Sequence, residues 1–218
     1  MAQIVTLDEN SPVIQYLCTR DKRLSKLIRM IGPISYQTHD EDPYSFFVHE
    51  IIEQMMSVKV ARHIYGRLET LCNGTVSIER ICALSDEEIR STGTSVAKVE
   101  YIRNVTEAVL SGRWNFEEME TMSDQEVISL LTSVRGVGNW TAKMCLMFVL
   151  NRPNIIPFED GAFLQTYRWL YKTGDCSPES VKKRCSKWSP YATAASRFFY
   201  RALDLGLTKT EFHLFKEE

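Results

Sequence analysis

Residues 130–170, LLTSVRGVGNWTAKMCLMFVLNRPNIIPFEDGAFLQTYRWL, decide the organisation of this chain. The first half contains Gly136 and Gly138, and glycine adopts positive φ angles without steric cost. Trp140 then opens an apolar run at helical spacing, so the segment predicts a helix end, a tight turn and a helix start. The backbone N–H groups of such a turn lie beside a positive helix N-terminus, an arrangement that binds a phosphate without any basic side chain.

The second half of the stretch places an acidic pair, Glu159 and Asp160, after a proline turn and before another helical run. Asp160 lies 20 residues beyond Trp140. One helix over 141–150 and a loop can therefore return it to the neighbourhood of the hairpin. The same pattern suits an ordinary corner between two helices, in which an aspartate caps a helix N-terminus. The hairpin alone favours that structural interpretation.

The motif L-x-x-V-R-G-V-G-N-W-T-A at 131–142, followed by P-F-E-D at 157–160, resembles the helix-hairpin-helix DNA glycosylases. The likeness is greatest to the alkylated-base (3-methyladenine) branch. Three further segments extend it: IIEQMMSVK at 51–59, GTSVAKVEYI at 93–102 and WSPYATAA at 188–195. Ala192 stands where the last segment usually has arginine. The polar contact that this arginine would make near the site is therefore not expected here, whereas the fold is unaffected. The resemblance covers nearly the whole chain from residue 43 onward.

Length and composition restrict the class of protein. A chain of 218 residues with 44% hydrophobic residues allows one compact unit, or two lobes, with a sizeable core. The formal net charge of −2 argues against indiscriminate nucleic-acid binding but permits a local basic face. The acidic residues near the start do not fit a secretory signal, and no apolar run has membrane-spanning length. We expect a soluble, intracellular protein, in cytoplasm, nucleoid or nucleus, with no membrane partner.

The six cysteines form no C-x-x-C pair, and several lie in apolar helical runs. Buried free thiols are therefore expected rather than disulfides or zinc ligands. Some members of the resembling superfamily carry an iron–sulfur cluster on four closely spaced cysteines near the C-terminus. Only Cys176 and Cys185 lie in that region, so we predict no cluster and no required cofactor.

Helical spacings dominate the chain and no strand pattern is evident, which predicts an all-α fold. Residues 12–32 are predicted to form one helix and residues 33–42 a polar loop, with a further helix starting at Asp42-Pro43. The resemblance implies a two-lobed helical glycosylase fold with a cleft between the lobes. The central lobe would span 43–154, and residues 1–42 plus 155–218 would form the second lobe.

The resemblance also implies which residues contact DNA. The turn residues Gly136, Val137 and Gly138, with Thr141, are expected to hold the DNA backbone. Replacing Gly138 with a β-branched residue should then weaken binding to damaged and undamaged duplex alike, through lost turn geometry. The contact is made by backbone groups, so it positions DNA without reading sequence.

In the family that the chain resembles, the turn that contains Met55 enters the minor groove and fills the gap left by an extruded nucleotide. Met55 stands where a second glutamine is common, and it is the candidate wedge. An apolar, flexible side chain suits that task because it asks for no hydrogen bonds. Core packing on an amphipathic helix is the competing interpretation, and it is about equally good for Met56. Lys98, at a helix start, is expected to reach a phosphate, although a lone exposed lysine is usually only solvated.

An enzyme that acts on a base within a duplex must first flip the nucleotide out of the stack. Cleavage of the N-glycosidic bond develops positive charge on the sugar, and a nearby carboxylate stabilises that charge. The resemblance implies that Asp160 is the catalytic residue, which either stabilises the oxocarbenium ion or orients water. Glu159 is expected to contribute little to catalysis, because it would point elsewhere at the helix start. The preferred substrate would be an alkylated purine, with another damaged or mismatched base as the alternative.

Trp140, Met144 and Tyr200 are the candidate base-pocket residues. A cationic alkylated purine is attracted to an aromatic face by roughly 0.5 to 2 kcal/mol. For Tyr200, a place in the core is an equally good interpretation. The glycosylases with lyase activity carry a lysine nucleophile directly after the G-x-G-x turn, where this chain has Trp140, and Lys143 is turned to another helix face. We therefore expect a monofunctional enzyme.

The backbone carbonyls of Thr132, Val134 and Gly136 are candidate ligands for a monovalent cation, Na⁺ or K⁺, because carbonyl oxygens suit such ions. The expected partner is double-stranded DNA containing damaged bases, bound by a monomer. A non-catalytic helix-hairpin-helix DNA-binding module would not depend on Asp160. An all-α protein-interaction domain would show no salt-dependent DNA affinity.

Overall fold

The computed structural model describes residues 3–38 and 42–215, which form two compact units. The first unit takes its described residues from Met1–Thr38 and Asn151–Glu218, and the second from His39–Leu150. Helices predominate in both, which confirms the all-α prediction. Across these described ranges, no helix combines the length and the apolar character that a membrane span requires.

The N-terminal part of the first unit departs from the sequence-based prediction in two places. The predicted helix over 12–32 is two helices, α1 (Pro12–Arg20) and α2 (Lys22–Ile31), because Asp21 adopts an extended conformation and caps α2. The predicted loop contains strand β2 (Ile34–Thr38), paired antiparallel with β1 (Gln3–Leu7). Positions 39–41 of that loop lie outside the described residues. Each strand has only five residues, and its partner lies 27 to 35 positions away, so the alternation within β2 is too short to indicate a strand by itself.

The rest of the first unit is helical around an aromatic core. Its elements are α11 (Gly161–Tyr171), α12 (Pro178–Cys185), a 3₁₀ turn (Ser186–Trp188), α13 (Ala192–Asp204) and a second 3₁₀ turn (Leu207–Lys209). The Phe163 ring stacks on Phe199 with centroids 4.9 Å apart, and Trp188 meets Phe199 edge-on at 5.2 Å. These contacts pack the start of α11 against the middle of α13.

Asp21 is a buried carboxylate at the centre of this unit's polar contacts. Its Oδ1 accepts the Arg23 N–H at 3.0 Å, and its Oδ2 accepts Trp188 Nε1 at 3.1 Å and the Tyr171 hydroxyl. Lys187 Nζ lies 2.9 Å from the same oxygen. Burial alone raises the pKa of Asp21, but the hydrogen bonds from Tyr171, Lys187 and Trp188 outweigh it and lower the pKa below its ordinary value.

The basic run of α12 packs on aromatic rings. Lys182 Nζ lies 4.1 Å from the centroid of the Phe158 ring, and the Arg184 guanidinium lies 4.9 Å from that of Tyr171. Each cation covers apolar surface while its charged end faces a π-system. Lys182 and Arg184 therefore have a packing role in addition to carrying charge.

The second unit is built of helices, most of which begin directly after a residue whose side chain accepts a hydrogen bond from the first turn of the helix. They are α3 (Pro43–Glu53), α4 (Val58–Leu71), α5 (Ile78–Ala83), α6 (Asp86–Ser91), α7 (Val96–Leu110), α8 (Phe116–Met119), α9 (Asp124–Thr132) and α10 (Asn139–Met144), the last continued by a π-helical turn (Cys145–Val149). Capping boxes open α6 at Ser85 and α9 at Ser123. Asp42 caps α3, with Pro43 at its first position, as predicted.

Candidate functional site

The predicted hairpin forms between α9 and α10. Gly136 adopts φ 106°, and the Val137 N–H donates to the Val134 carbonyl at 3.1 Å. A Cβ at Gly136 would lie 2.4 Å from Cβ of Tyr101, closer than any real contact. Both the backbone angle and the approach of Tyr101 therefore require glycine at this position.

Gly138 is different, because it does not use the positive φ that glycine permits. Its φ of −97° and ψ of 177° are extended, a conformation open to any residue. It caps α10, and its carbonyl accepts the first helical hydrogen bond from Ala142 at 3.0 Å. A Cβ there would meet no atom within 4 Å. The sequence predicted that a side chain at Gly138 would disrupt the turn geometry. In the structure the turn accommodates a side chain at this position, which would fill the open space beside the turn.

The carbonyls proposed as cation ligands already take part in the turn. Val134 O accepts the Val137 N–H, and Gly136 O accepts Gln54 Nε2 at 2.9 Å. A carbonyl oxygen has two lone pairs, so each retains one for a cation. The Thr132 hydroxyl donates to the Ile128 carbonyl at 2.7 Å. The predicted cation ligand of Thr132 is its backbone carbonyl, which this hydrogen bond does not use.

One further group in the described residues has its ligand atoms close enough to hold a metal ion. His49, Glu50 and Glu53, all on α3, bring these atoms within 4.8 Å of one another. His49 Nδ1 lies 3.6 Å from Glu50 and 3.9 Å from Glu53, and the second distance is the usual contact between residues four apart on one helix.

The turn between α3 and α4 presents the Met55 side chain to solvent. Met55 adopts φ 58° and is 104% exposed, whereas Met56 is half-buried. A left-handed conformation is unfavourable for a side chain of this size, and full exposure adds the cost of hydrating it. The core interpretation is therefore wrong for Met55.

Two side chains tie this turn to the rest of the unit. Lys98 Nζ donates to the carbonyls of Ile52 at 2.8 Å and Gln54 at 2.7 Å. The Gln54 amide donates in turn to the Gly136 carbonyl of the hairpin. Sequence reasoning missed Gln54, although it lies in the quoted segment, because nothing local indicates which backbone its amide would meet. Lys98, predicted to reach a phosphate, instead directs its ammonium group at the end of α3.

Asp160 is the N-cap residue of α11. Its side chain is 8% exposed, and Oδ1 accepts the Phe163 N–H at 2.6 Å. The adjoining Pro157 carbonyl accepts the Asp160 N–H at 2.9 Å, which fixes the turn before the helix. Glu159, its neighbour, is exposed. The capping role and a buried, oriented carboxylate thus coexist in one residue, so the two interpretations of the sequence are compatible.

The predicted pocket residues are divided between the units. Trp140 is half-buried and Met144 is buried, both on α10, and Thr141 is 1% exposed between them. Tyr200 on α13, in the first unit with Asp160, is half-buried and packs against the aromatic core of that unit. Lys143, on α10, is 8% exposed.

Comparison with known proteins shows a matching family and similar proteins. Residues 48–190 match the family described as HhH-GPD superfamily base excision DNA repair protein. DNA-3-methyladenine glycosylase 1 of Schizosaccharomyces pombe is 29% identical over 188 residues, which cover 84% of this chain and 82% of that protein.

Two solved structures extend the comparison to the fold. A DNA-3-methyladenine glycosidase from Bacillus halodurans is 33% identical with a TM-score of 0.83, covering 96% of this chain and 97% of its own. A Schizosaccharomyces pombe 3-methyladenine DNA glycosylase in complex with abasic DNA is 26% identical with a TM-score of 0.79, covering 89% and 97%. The likeness therefore runs through both units of the chain.

Proposed function

The chain belongs to the HhH-GPD superfamily of base excision DNA repair proteins, and from this we propose that it is a monofunctional DNA glycosylase of alkylated purines. The substrate class follows the relatives named as 3-methyladenine glycosylases, which match it over most of both chains. One observation carries the proposal to this molecule: Asp160 is a buried carboxylate, oriented by the first turn of α11.

Asp160 is proposed as the catalytic residue. Departure of the base leaves an oxocarbenium-like sugar, and a fixed carboxylate stabilises that charge with little reorganisation. The hydrogen bond from Phe163 N–H holds Oδ1 in place, so the orientation of the group is set before substrate binds. Stabilisation of the cation and orientation of the attacking water remain alternative roles for the same group.

Trp140, Met144 and Tyr200 are proposed to receive the flipped base. The half-buried aromatic rings of Trp140 and Tyr200 offer π-faces that attract a cationic purine. That attraction is modest, so much of the selectivity would come from the weakened glycosidic bond of the alkylated nucleotide itself.

DNA contacts are proposed for the hairpin and for the Met55 turn. The turn formed by Gly136, Val137 and Gly138 would hold a backbone phosphate through N–H groups other than that of Val137, which donates to Val134, with a Na⁺ or K⁺ on the carbonyl side of the turn. Met55 would enter the space vacated by the flipped nucleotide, which accounts for its full exposure. The protein would act as a monomer on double-stranded DNA containing damaged bases.

The absence of lyase activity is part of the proposal. Schiff-base formation needs an amine that reaches the sugar, and the position after the G-x-G-x turn holds Trp140. Lys143, the next amine along α10, is 8% exposed and therefore poorly placed to attack a bound nucleotide.

The experiment is incubation of the protein with a duplex containing a methylated purine, in the presence of EDTA and without added cofactor. We expect free methylated base and an abasic strand that breaks only after alkali, with no release from the unmodified duplex. Binding without release would instead indicate a non-catalytic helix-hairpin-helix module. A covalent adduct trapped by borohydride would contradict the monofunctional assignment and indicate an active amine.

A further inference from the structure

The turn that carries Met55 combines two unfavourable features. A long side chain in the left-handed region at φ 58° is strained, and its exposed fraction of 104% leaves it without packing partners to compensate. Such a conformation persists only where surrounding contacts impose it. The question is therefore which groups impose it.

Lys98 is the residue placed to do so. Its ammonium group donates to the Ile52 carbonyl at 2.8 Å and the Gln54 carbonyl at 2.7 Å, beside the last turn of α3 and directly before Met55. The last carbonyls of a helix lack intrahelical partners and carry the negative end of the helix dipole, so a cation there is favourable on both counts. Lys98 is half-buried, and burial lowers its pKa. It reaches these carbonyls from the first turn of α7, 44 residues from Gln54.

We propose that Lys98 is a positioning residue for Met55, holding the end of α3 so that the wedge projects from the free protein before DNA arrives. The importance of this restraint for base release rests on the proposed function, whereas the restraint itself is a property of the free chain. Gln54 extends it, because its backbone carbonyl binds Lys98 while its side-chain amide binds the Gly136 carbonyl. The wedge turn and the hairpin thus share one set of hydrogen bonds.

This role differs measurably from a phosphate contact. An ammonium group has three N–H donors, and two of them are directed at α3. If Lys98 bound a phosphate, its removal would reduce the salt dependence of binding to any duplex by about one unit of slope. If Lys98 acts through Met55, binding to undamaged duplex keeps its affinity and its salt slope, and only the steps that need the wedge are slowed.

The first test uses the free protein. Lys98→Met keeps the apolar stem and removes the charge, and Arg113→Met removes one charge from an exposed position of the same unit as a control. Hydrogen exchange should become faster at Gln54 and Met56, whose N–H groups donate to the carbonyls of Glu50 and Glu53, in Lys98→Met alone. Unchanged exchange would overturn the proposal. If Lys98→Met does not fold, Lys98→Gln serves with the same expectation.

The second test measures base release in a double-mutant cycle. Lys98→Met should lower the rate on the order of tenfold, as for one lost charge-assisted hydrogen-bond pair. Combined with Met55→Gly, it should lower the rate no further than Met55→Gly alone, because the two residues act as one unit. Additive effects, or a wild-type rate in Lys98→Met, would overturn the proposal. Failure of the wild-type protein to release any base would contradict the proposed function, with the exchange result still deciding the restraint.

Discussion

The hairpin and the start of α11 are both turns that lead into a helix. They differ in that the proposed functional groups are backbone atoms at the hairpin and a side chain at α11. At the hairpin the groups proposed to hold DNA are backbone atoms, and Gly136 is needed because a side chain would clash with Tyr101. At α11 the proposed catalytic group is the side-chain carboxylate of Asp160. Substitutions at the hairpin should therefore change the turn geometry and the affinity for DNA. Substitution of Asp160 should lower the rate of base release and leave the affinity for DNA unchanged.

The largest expected effect is that of Asp160→Asn. The amide preserves shape and is as good an N-cap as the acid, so folding and DNA affinity should stay near wild type. Loss of the negative charge should lower the rate of base release by about 10³-fold or more. Single-turnover release measured beside DNA affinity checks this. Release near the wild-type rate would remove Asp160 from the mechanism.

Gly136→Ala should have the next largest effect, on stability. Alanine at φ 106° is strained, and its Cβ would lie 2.4 Å from Tyr101, so we expect a loss of about 3 kcal/mol or more in the free energy of unfolding. Urea unfolding measures it. Adding Tyr101→Ala removes the ring but keeps Cβ of residue 101, so it should recover only the part of the loss that is due to the ring and leave the Cβ contact and the backbone strain. A fully stable Gly136→Ala would show that the turn tolerates other angles.

Asp21→Asn separates a structural carboxylate, that of Asp21, from the proposed catalytic carboxylate of Asp160. Both aspartates cap helices and are buried, but Asp21 receives hydrogen bonds from Tyr171 and Trp188. The substitution should cost about 2 kcal/mol in unfolding free energy, with activity of the folded protein retained. A stable but inactive Asp21→Asn would break the distinction.

The same residue gives a pH dependence with a definite sign. The folded pKa of Asp21 is lowered, so its contribution to stability is complete above the unfolded pKa of about 4 and is lost as pH falls through the folded pKa. The stability difference between wild type and Asp21→Asn should therefore be constant above about pH 5 and shrink at lower pH. A difference that grew on acidification would contradict the lowered pKa.

Gly138→Ala should have the smallest effect. Its backbone is extended and its surroundings are open, so stability should change by less than about 1 kcal/mol. The added methyl group would occupy the space proposed for a phosphate, and affinity for damaged and undamaged duplex should fall by similar factors of about five. Unchanged affinity for both would show that the hairpin does not hold the DNA backbone.

The comparison of the two glycines shows how far local pattern extends. The sequence of 130–170 predicts the turn and both flanking helices, because glycine, caps and apolar spacing act over a few residues. It does not distinguish Gly136 from Gly138, since the difference depends on Tyr101 in another helix. The break at Asp21 was missed for a related reason: its partners lie 150 and 167 positions away.

The sequence by itself determined the helical class, the capped helix starts, the hairpin and a candidate carboxylate beside a helix start. Each of these is encoded by residues within a turn or two of one another. Only the tertiary structure decided that Met55 is exposed rather than packed, that Lys98 binds the end of α3, and that β1 pairs with β2. These depend on contacts between residues far apart in the chain, whose free energies arise only when the whole unit has folded.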